Sequence, residues 1–511
     1  APRNRLPAPE ADDHPGWHLT PVWKDAPVDP QEPEVAGSAW YFYSGEAPAG
    51  LPFSESFAWD SFVSVKLGGR ERPLGPNAWE VNVAGSDDLK PFLLKLPRPD
   101  YLIFAGPDAL GGTEVDRVED GQRRGVGALL QVIQALDQRG WLESLRSMRV
   151  ITAGAQDVFD DVTAPYAAGL AGFAGSLAKE YPRLDIACLD VEPLPVRDPV
   201  LARRTAQMVL AEPAQRAGEK VAFRQGQRLR LHLQPIGLPP AGQTSFRKKG
   251  VYLILGGAGE VGFQLSVYLA ETCQANLIWV GRRPLDGIIE AKASRVQLAG
   301  GAVVYLQAQG GDASQMEKAV FTAQERFGAL NGIIHSALVF QDEPVRNLSP
   351  EVCREILNAK TRSAAVLGEL ARHLALDFLL FFGSAQSFFN EARRAAYAGA
   401  CCFMDSYARY LRRSLKQPVQ VIDWGFWSHS FDEELRLTMR EAGLGAITPA
   451  DGFRAMEGVL TAGTAQTAFL KASLDALRRM GIDPQQKLTC LSAGGEDLEE
   501  LGSALCQTLS V

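Results

Sequence analysis

Lys360, Ser384 and Tyr397 are residues of this 511-residue chain whose types and spacing suit a reaction. Ser384 follows Lys360 by 24 positions, and Tyr397 follows Ser384 by 13. A phenol has an ordinary pKa near ~10 and is a poor acid at neutral pH until a nearby cation lowers it. A serine hydroxyl can share a carbonyl oxygen with that phenol, so that a developing alkoxide is held while hydride arrives. Singly, each has an ordinary explanation: a surface lysine, a turn or helix-cap serine, a core tyrosine with a satisfied hydroxyl. In one cleft beside a dinucleotide they supply the parts for protonating a carbonyl as it is reduced.

A dinucleotide site is readable upstream. The apolar run 251–255 predicts a buried parallel strand, and Gly257-Ala258-Gly259-Glu260-Val261-Gly262 follows it before a helix over 263–271. Glycines at this spacing let backbone approach a pyrophosphate, and the helix N-terminus attracts the anion. A second strand over 276–280 ends in Gly281-Arg282-Arg283. An NAD site usually places Asp or Glu there; two guanidinium groups suit a 2′-phosphate, which points to NADPH. The plain alternative is a solvated basic turn.

Strand and helix patterns alternate along the whole chain, implying a parallel sheet with helices on its faces. In the second half, strands are predicted over 302–306, 332–335, 378–382 and 419–424, with Lys360 inside one helical stretch over 352–370. In the first half, strands are predicted over 40–43, 101–104, 150–152 and 186–189, and helices over 125–138 and 166–179. The turn over 44–50 lacks the phosphate-binding glycine spacing, so this half reads as a nucleotide-binding fold without its nucleotide site. Tyr166 follows Ala153 by the same 13 positions that separate Tyr397 from Ser384, as a diverged duplication would leave. The expected organisation is a linker over 1–17, a structural unit over 18–243, a catalytic unit over 244–485 and a linker toward a following domain over 486–511. The Pro- and Gly-rich stretch 235–243 marks the boundary.

Composition narrows the function classes. The chain is 46% hydrophobic and 22% charged, ordinary for a globular protein. A net charge of −8 argues against nucleic acid or an anionic membrane as main partner. Its 7 cysteines include no C-x-x-C pair, which suits reduced thiols in a cytoplasmic protein, and no metal site is predicted. The N-terminus has no signal-type apolar segment, no apolar run approaches membrane-spanning length, and the missing start methionine suggests a piece cut from something longer.

With these residues in view, the chain resembles the ketoreductase domain of modular polyketide synthases, within the short-chain dehydrogenase/reductase superfamily. The resemblance runs from Leu19-Thr20-Pro21-Val22-Trp23 to about residue 475. It implies a truncated Rossmann-type structural subdomain supporting a complete catalytic one, and a β-ketoacyl substrate carried by an acyl carrier protein beside neighbouring synthase domains. It implies Tyr397 as proton donor, Ser384 orienting the carbonyl, and Lys360 lowering the tyrosine pKa and touching the cofactor ribose. The cofactor contacts implied are Gly257 to Gly262, Gly281, Arg282, Arg283, Gln309, Ser336, Ala337, Lys360 and Tyr397. Trp424, in Trp424-Gly425-Phe426-Trp427, resembles the family's segment near the substrate entrance.

Some positions depart from the family pattern. Cys401 stands where Asn usually serves a water-linked proton relay, Leu338 where Gly is expected, and Gln309 at the acidic position that meets adenine. The run Ala400-Cys401-Cys402-Phe403-Met404-Asp405 resembles trans-acyltransferase ketoreductases. Asp342 occupies the diagnostic B-type position, and Phe389 stands where A-type domains carry Trp; the pattern leans to a B-type enzyme and a D-configured hydroxyl. The departures leave a silent, scaffolding pseudo-ketoreductase as the alternative. A stand-alone short-chain dehydrogenase would lack the first half. Arg393-Arg394 is a candidate basic patch for an acidic carrier protein, with a solvated turn as the plain alternative. The segment 428–434 reads as a cover over substrate, with His429 a surface residue, and helices are expected over 448–460 and 473–480.

Overall fold

All five residues of Val251–Leu255 are buried, as an apolar run covered on both faces requires. The computed structural model describes residues 14–28, 33, 35–45, 51–83, 89–107, 110–193, 198–239, 244–429 and 433–489. In it this strand pairs in parallel with Asn276–Gly281 on one side and Gly332–His335 on the other. Ala302–Gln307 lies beyond the first neighbour. Phe378–Ser384, Val419–Trp424 and Gln466–Ala472 follow in turn beyond the second. Strand order therefore reverses at Val251–Leu255, where a crevice opens at the carboxyl ends of the strands.

The first half repeats this order. Ser38–Tyr43 lies in parallel between Ser61–Gly68 and Tyr101–Ala105. Ala78–Asn82 extends one side, and Ser147–Ala153, Ile186–Val191 and Val221–Arg224 extend the other. Two antiparallel strands join the halves. Gln227–Gly237 pairs with Val221–Arg224 and with Gly16–Asp25, whose first residues pair with Gln466–Ala472. The α/β architecture of two Rossmann-like halves is the one expected, and no helix among the described residues is long and apolar enough to cross a membrane.

A helix from each half seals the contact between them. Gly169–Glu180 crosses Ala395–Ser414, the helix that begins just before Tyr397. Small residues let the backbones touch: a Cβ on Gly172 would lie 2.3 Å from the Ala398 carbonyl oxygen, and one on Gly169 would lie 3.0 Å from that of Gly399.

Several elements differ from expectation. The stretch 352–370 is two helices, Pro350–Asn358 and Thr361–Ala371, and Lys360 sits at the break. Its one glycine, Gly368, lies well inside the second helix and no proline occurs, so nothing in the sequence at Lys360 announces the break. Tyr166 lies in a short 3-10 turn, Pro165–Ala167, ahead of its helix. The first strand begins at Gly16, inside the stretch read as a linker, and Leu488–Thr489 pairs with Ile236–Gly237 inside the other one. The helix expected over 263–271 runs Glu260–Cys273, and the later ones run Pro449–Ala462 and Leu474–Arg479. Residues 1–13, 46–50, 240–243, 430–432 and 490–511 lie outside the described residues, and with them parts of both linkers, the turn, the boundary and the covering segment.

Candidate active site

The glycine loop is built by contacts that exclude side chains. Gly256 has φ +87°, and a Cβ on Gly262 would lie 2.4 Å from the Gly256 carbonyl oxygen. The helix Glu260–Cys273 therefore starts directly against the loop, and no side chain caps its N-terminus. Its first-turn N–H groups are left for an anion. The loop opens on a cavity of about 820 Å³ lined by Gly259, Glu260, Val261, Gly262, Gly281, Arg282, Gln309, Ser336 and Ala337, among others. Size, glycine floor and uncapped helix end fit a dinucleotide.

Five residues expected to meet the cofactor are not among its lining: Lys360 and Tyr397, which line the adjoining cavity, and Gly257, Ala258 and Arg283. A Cβ on Gly257 would run into Trp279, whose ring lies 2.2 Å away. The Ala258 carbonyl accepts from Lys292 Nζ at 3.1 Å, and the Arg283 carbonyl accepts from Tyr305 Oη at 2.6 Å. Conversely, Glu355, Arg362 and His429 line the cavity without having been expected. Arg282 Nη1 donates to Glu355 at 2.6 Å. Arg362 Nε donates to the Gly311 carbonyl at 2.6 Å, and its guanidinium also pairs with Glu119 of the first half. His429, read as a surface residue, is exposed as expected and stands at the cavity's edge. No local motif marks these three; they meet the cavity through chain crossings.

A second cavity, of about 330 Å³, adjoins the first through Val261, Ser336, Ala337 and Leu338. Lys360, Ser384, Tyr397, Phe389 and Trp424 all line it. Ser384 ends its strand, and its N–H donates to Asp423 Oδ1 at 3.1 Å, which anchors the turn to the next strand. Tyr397 lies in the first turn of its helix, buried, with its ring edge-on to Phe340 at 5.4 Å. The helix break turns Lys360 inward until it is 2% exposed; Nζ donates to the Phe382 carbonyl at 2.8 Å and lies 5.9 Å from the Tyr397 ring centre.

One electrostatic expectation is corrected. Burial pushes the Tyr397 phenol well above its ordinary pKa, and Cys401 and Asp423 add to the rise. The Ser384 hydrogen bond pulls the other way without prevailing. The Lys360 ammonium, held by the Phe382 carbonyl 5.9 Å from the ring centre, does not reverse that rise. Tyr397 is therefore fully protonated at neutral pH, the state a proton donor needs.

Asp342 lines neither cavity. It accepts from Arg393 Nε at 2.5 Å and pairs with Arg394, which also pairs with Glu391. The basic patch expected at Arg393-Arg394 is thus neutralised by two carboxylates from its own surroundings.

A Rossmann-type crevice whose glycine loop adjoins a Lys–Ser–Tyr cavity defines an oxidoreductase of the short-chain dehydrogenase/reductase class. Residues 250–429 match the family model of the KR domain. The chain is 32% identical over 382 residues, 73% of its length, to polyketide synthase PksN of Bacillus subtilis. It is 30% identical over 473 residues, 91% of its length, to polyketide synthase ThaG of Burkholderia thailandensis. It spans 7% and 8% of those two proteins. An N-terminal ketoreductase from the macrolactin assembly line superposes with a TM-score of 0.75 at 20% identity, over 92% of this chain and 94% of that one. A ketoreductase domain from the bacillaene assembly line gives 0.66 at 18% identity, over 91% and 99%. The chain belongs to the KR domains of polyketide synthases.

Proposed function

We propose that the chain reduces the β-keto group of a carrier-bound polyketide intermediate to a hydroxyl, using NADPH, in a trans-acyltransferase assembly line. The convergence of Lys360, Ser384 and Tyr397 on a cavity continuous with the glycine-loop cavity carries this reading. NADPH, when bound, supplies the hydride. Tyr397 gives its phenolic proton to the ketone oxygen as charge develops there, and the Ser384 hydroxyl donates to the same oxygen. Lys360, buried between the cavities, meets the cofactor ribose and places one positive charge beside the phenolate that forms. Arg282 receives the 2′-phosphate, the helix at Glu260 the pyrophosphate, and the ring of Phe389 and the indole of Trp424 shape the substrate end. In this reading the structural unit runs from the strand beginning at Gly16 to 243 and the catalytic unit from 244 to the strand Leu488–Thr489; the partners are an acyl carrier protein and neighbouring synthase domains, and the protein works in the cytoplasm. The product is the D-configured hydroxyl of a B-type enzyme; Asp342 contributes by tying Arg393 and Arg394, the residues just ahead of Tyr397's helix, to its own loop.

The silent-scaffold reading is favoured by the Cys401 thiol, buried beside the phenol where a relay amide is usual, and by the Glu355 carboxylate on Arg282. Consumption of NADPH with a β-ketoacyl thioester mimic and with trans-1-decalone separates the two. The expected result is turnover with NADPH well above that with NADH; no turnover and no NADPH binding favours the scaffold. Glu355 sharpens the cofactor assignment, because a 2′-phosphate must displace it from Arg282. Both partners are more than half exposed, so the pair is worth little, and Glu355→Gln is expected to tighten NADPH about two- to fivefold. NADH affinity should stay unchanged. Equal effects on both cofactors, measured by fluorescence titration, would remove Arg282 from the phosphate site.

A further inference from the structure

Between Ser384 and Tyr397 the chain makes a tight loop whose backbone is strained at two places. Asn390 has φ 45° and Arg393 has φ 68°, left-handed values that cost a non-glycine residue energy and persist where surroundings over-determine them. What holds the loop comes from the first half. Asn390 is completely buried, and its Nδ2 donates to the Gly218 carbonyl at 3.0 Å. A Cβ on Gly175 would lie 2.8 Å from that Nδ2, and a Cβ on Gly218 would lie 3.2 Å from both Nδ2 and the Asn390 Cβ. The two glycines therefore form a socket that the asparagine side chain fills. Around it, Ser176 Oγ donates to the Glu391 carbonyl at 2.6 Å, and Lys179 Nζ donates to the Phe389 carbonyl.

Phe389, the residue before the plug, lines the substrate cavity, and Arg394 lines it from the other end of the loop. We propose that the first half acts on specificity: by seating Asn390 between Gly175 and Gly218 it fixes Phe389 and Arg394 in the cavity wall, and so determines which face of the ketone is presented. Asn390, Gly175 and Ser176 are positioning residues in this account, which rests on the ketoreductase reading of the cavity. It gives a nucleotide-free half a task in selectivity beyond support.

Gly175→Ala tests it well, since alanine favours the helix Gly169–Glu180 while its Cβ evicts the plug. Ser176→Ala removes one anchor with no added volume and serves if the first variant folds poorly. Two readouts on the full chain are needed: hydrogen exchange at the 389–394 amides, and the ratio of hydroxyl isomers formed from a β-ketoacyl thioester mimic. Gly175→Ala is expected to speed exchange in that loop about tenfold or more, leave the strand Val251–Leu255 protected, and move the isomer ratio about fivefold toward the minor product. Ser176→Ala should shift both in the same direction by less. Unchanged loop exchange in both variants overturns the plug whether or not the protein turns over. Faster exchange with an unaltered isomer ratio overturns its role in selectivity. Absence of any ketone reduction by the parent chain instead overturns the ketoreductase reading, and with it the selectivity role, while exchange still decides the plug.

Discussion

Tyr397→Phe is expected to lower turnover of a β-ketoacyl thioester by about 10³-fold or more while leaving the protein folded. The magnitude follows from the removal of a positioned general acid, a loss of about 10²–10⁴ in rate; the Cys401 thiol beside it is pushed by burial too far up to replace it. Ser384 has a hydroxyl of ordinary alcohol acidity, and Lys360 is directed to the Phe382 carbonyl. The fold should tolerate the change because the ring supplies the packing: it sits edge-on to Phe340, and Ser384, a neighbour of the hydroxyl, keeps another partner. Ser384 Oγ already accepts from the Gln386 N–H at 3.3 Å. Steady-state kinetics with melting temperature measured in parallel checks both halves of this prediction. Turnover within tenfold of the parent would take Tyr397 out of the reaction.

Gly172→Ala is expected to weaken the protein and slow it at once. The added Cβ would lie 2.3 Å from the Ala398 carbonyl oxygen and 2.4 Å from its carbon, backbone atoms of the helix that carries Tyr397. Backbone within a buried helix cannot rotate aside, so the two helices must separate. Overpacking of this kind costs about 1–3 kcal/mol, against about 1 kcal/mol that alanine returns as helix propensity. A net fall in melting temperature is therefore expected. Since Ala398 is the next residue after Tyr397, the same shift displaces the phenol, and a displacement near ~1 Å costs on the order of 10²-fold in rate. Gly69→Ala is the control, because nothing lies within 4 Å of a Cβ there. A Gly172→Ala protein with the parent's melting temperature and rate would mean that the two halves are not locked through this crossing.

Much of this architecture is written in local sequence, and the reason is periodicity. Fully buried parallel strands such as Val251–Leu255 are uninterrupted apolar runs, and Ile186–Val191 opens on four apolar residues; runs of that kind stand out. The half-exposed antiparallel strands Gly16–Asp25 and Gln227–Gly237 carry prolines, arginines and histidines; the first was seen only in part, and of the second only the end, from 235, was read, as a boundary. Ser61–Gly68 alternates buried and partly buried residues and was passed over for the same reason. At the site, types and spacings singled out Lys360, Ser384 and Tyr397, and the family resemblance added Phe389 and Trp424; all five share one cavity. What spacing does not contain is pairing across the fold. Asp342 was read as facing substrate, yet two arginines some 50 positions away hold it. Glu355 stands 73 positions from the arginine it occupies, and Asn390 stands 172 from the glycine that accepts its amide. Nothing near those residues in sequence points to their partners. The pKa of Tyr397 was misjudged for a related reason, since burial by the whole fold outweighs one nearby cation.

In the proposed reaction, hydride reaches a ketone held within the cavity shared by Lys360, Ser384 and Tyr397. Its most direct test follows the hydride itself: NADPH deuterated at the nicotinamide C4 is incubated with the protein and a β-ketoacyl thioester, and the product is examined by mass spectrometry. The account predicts one deuterium at the new carbinol carbon, and loss of that product in Tyr397→Phe. Intact ketone after prolonged incubation with saturating NADPH, or product whose carbinol hydrogen comes from solvent, would contradict it.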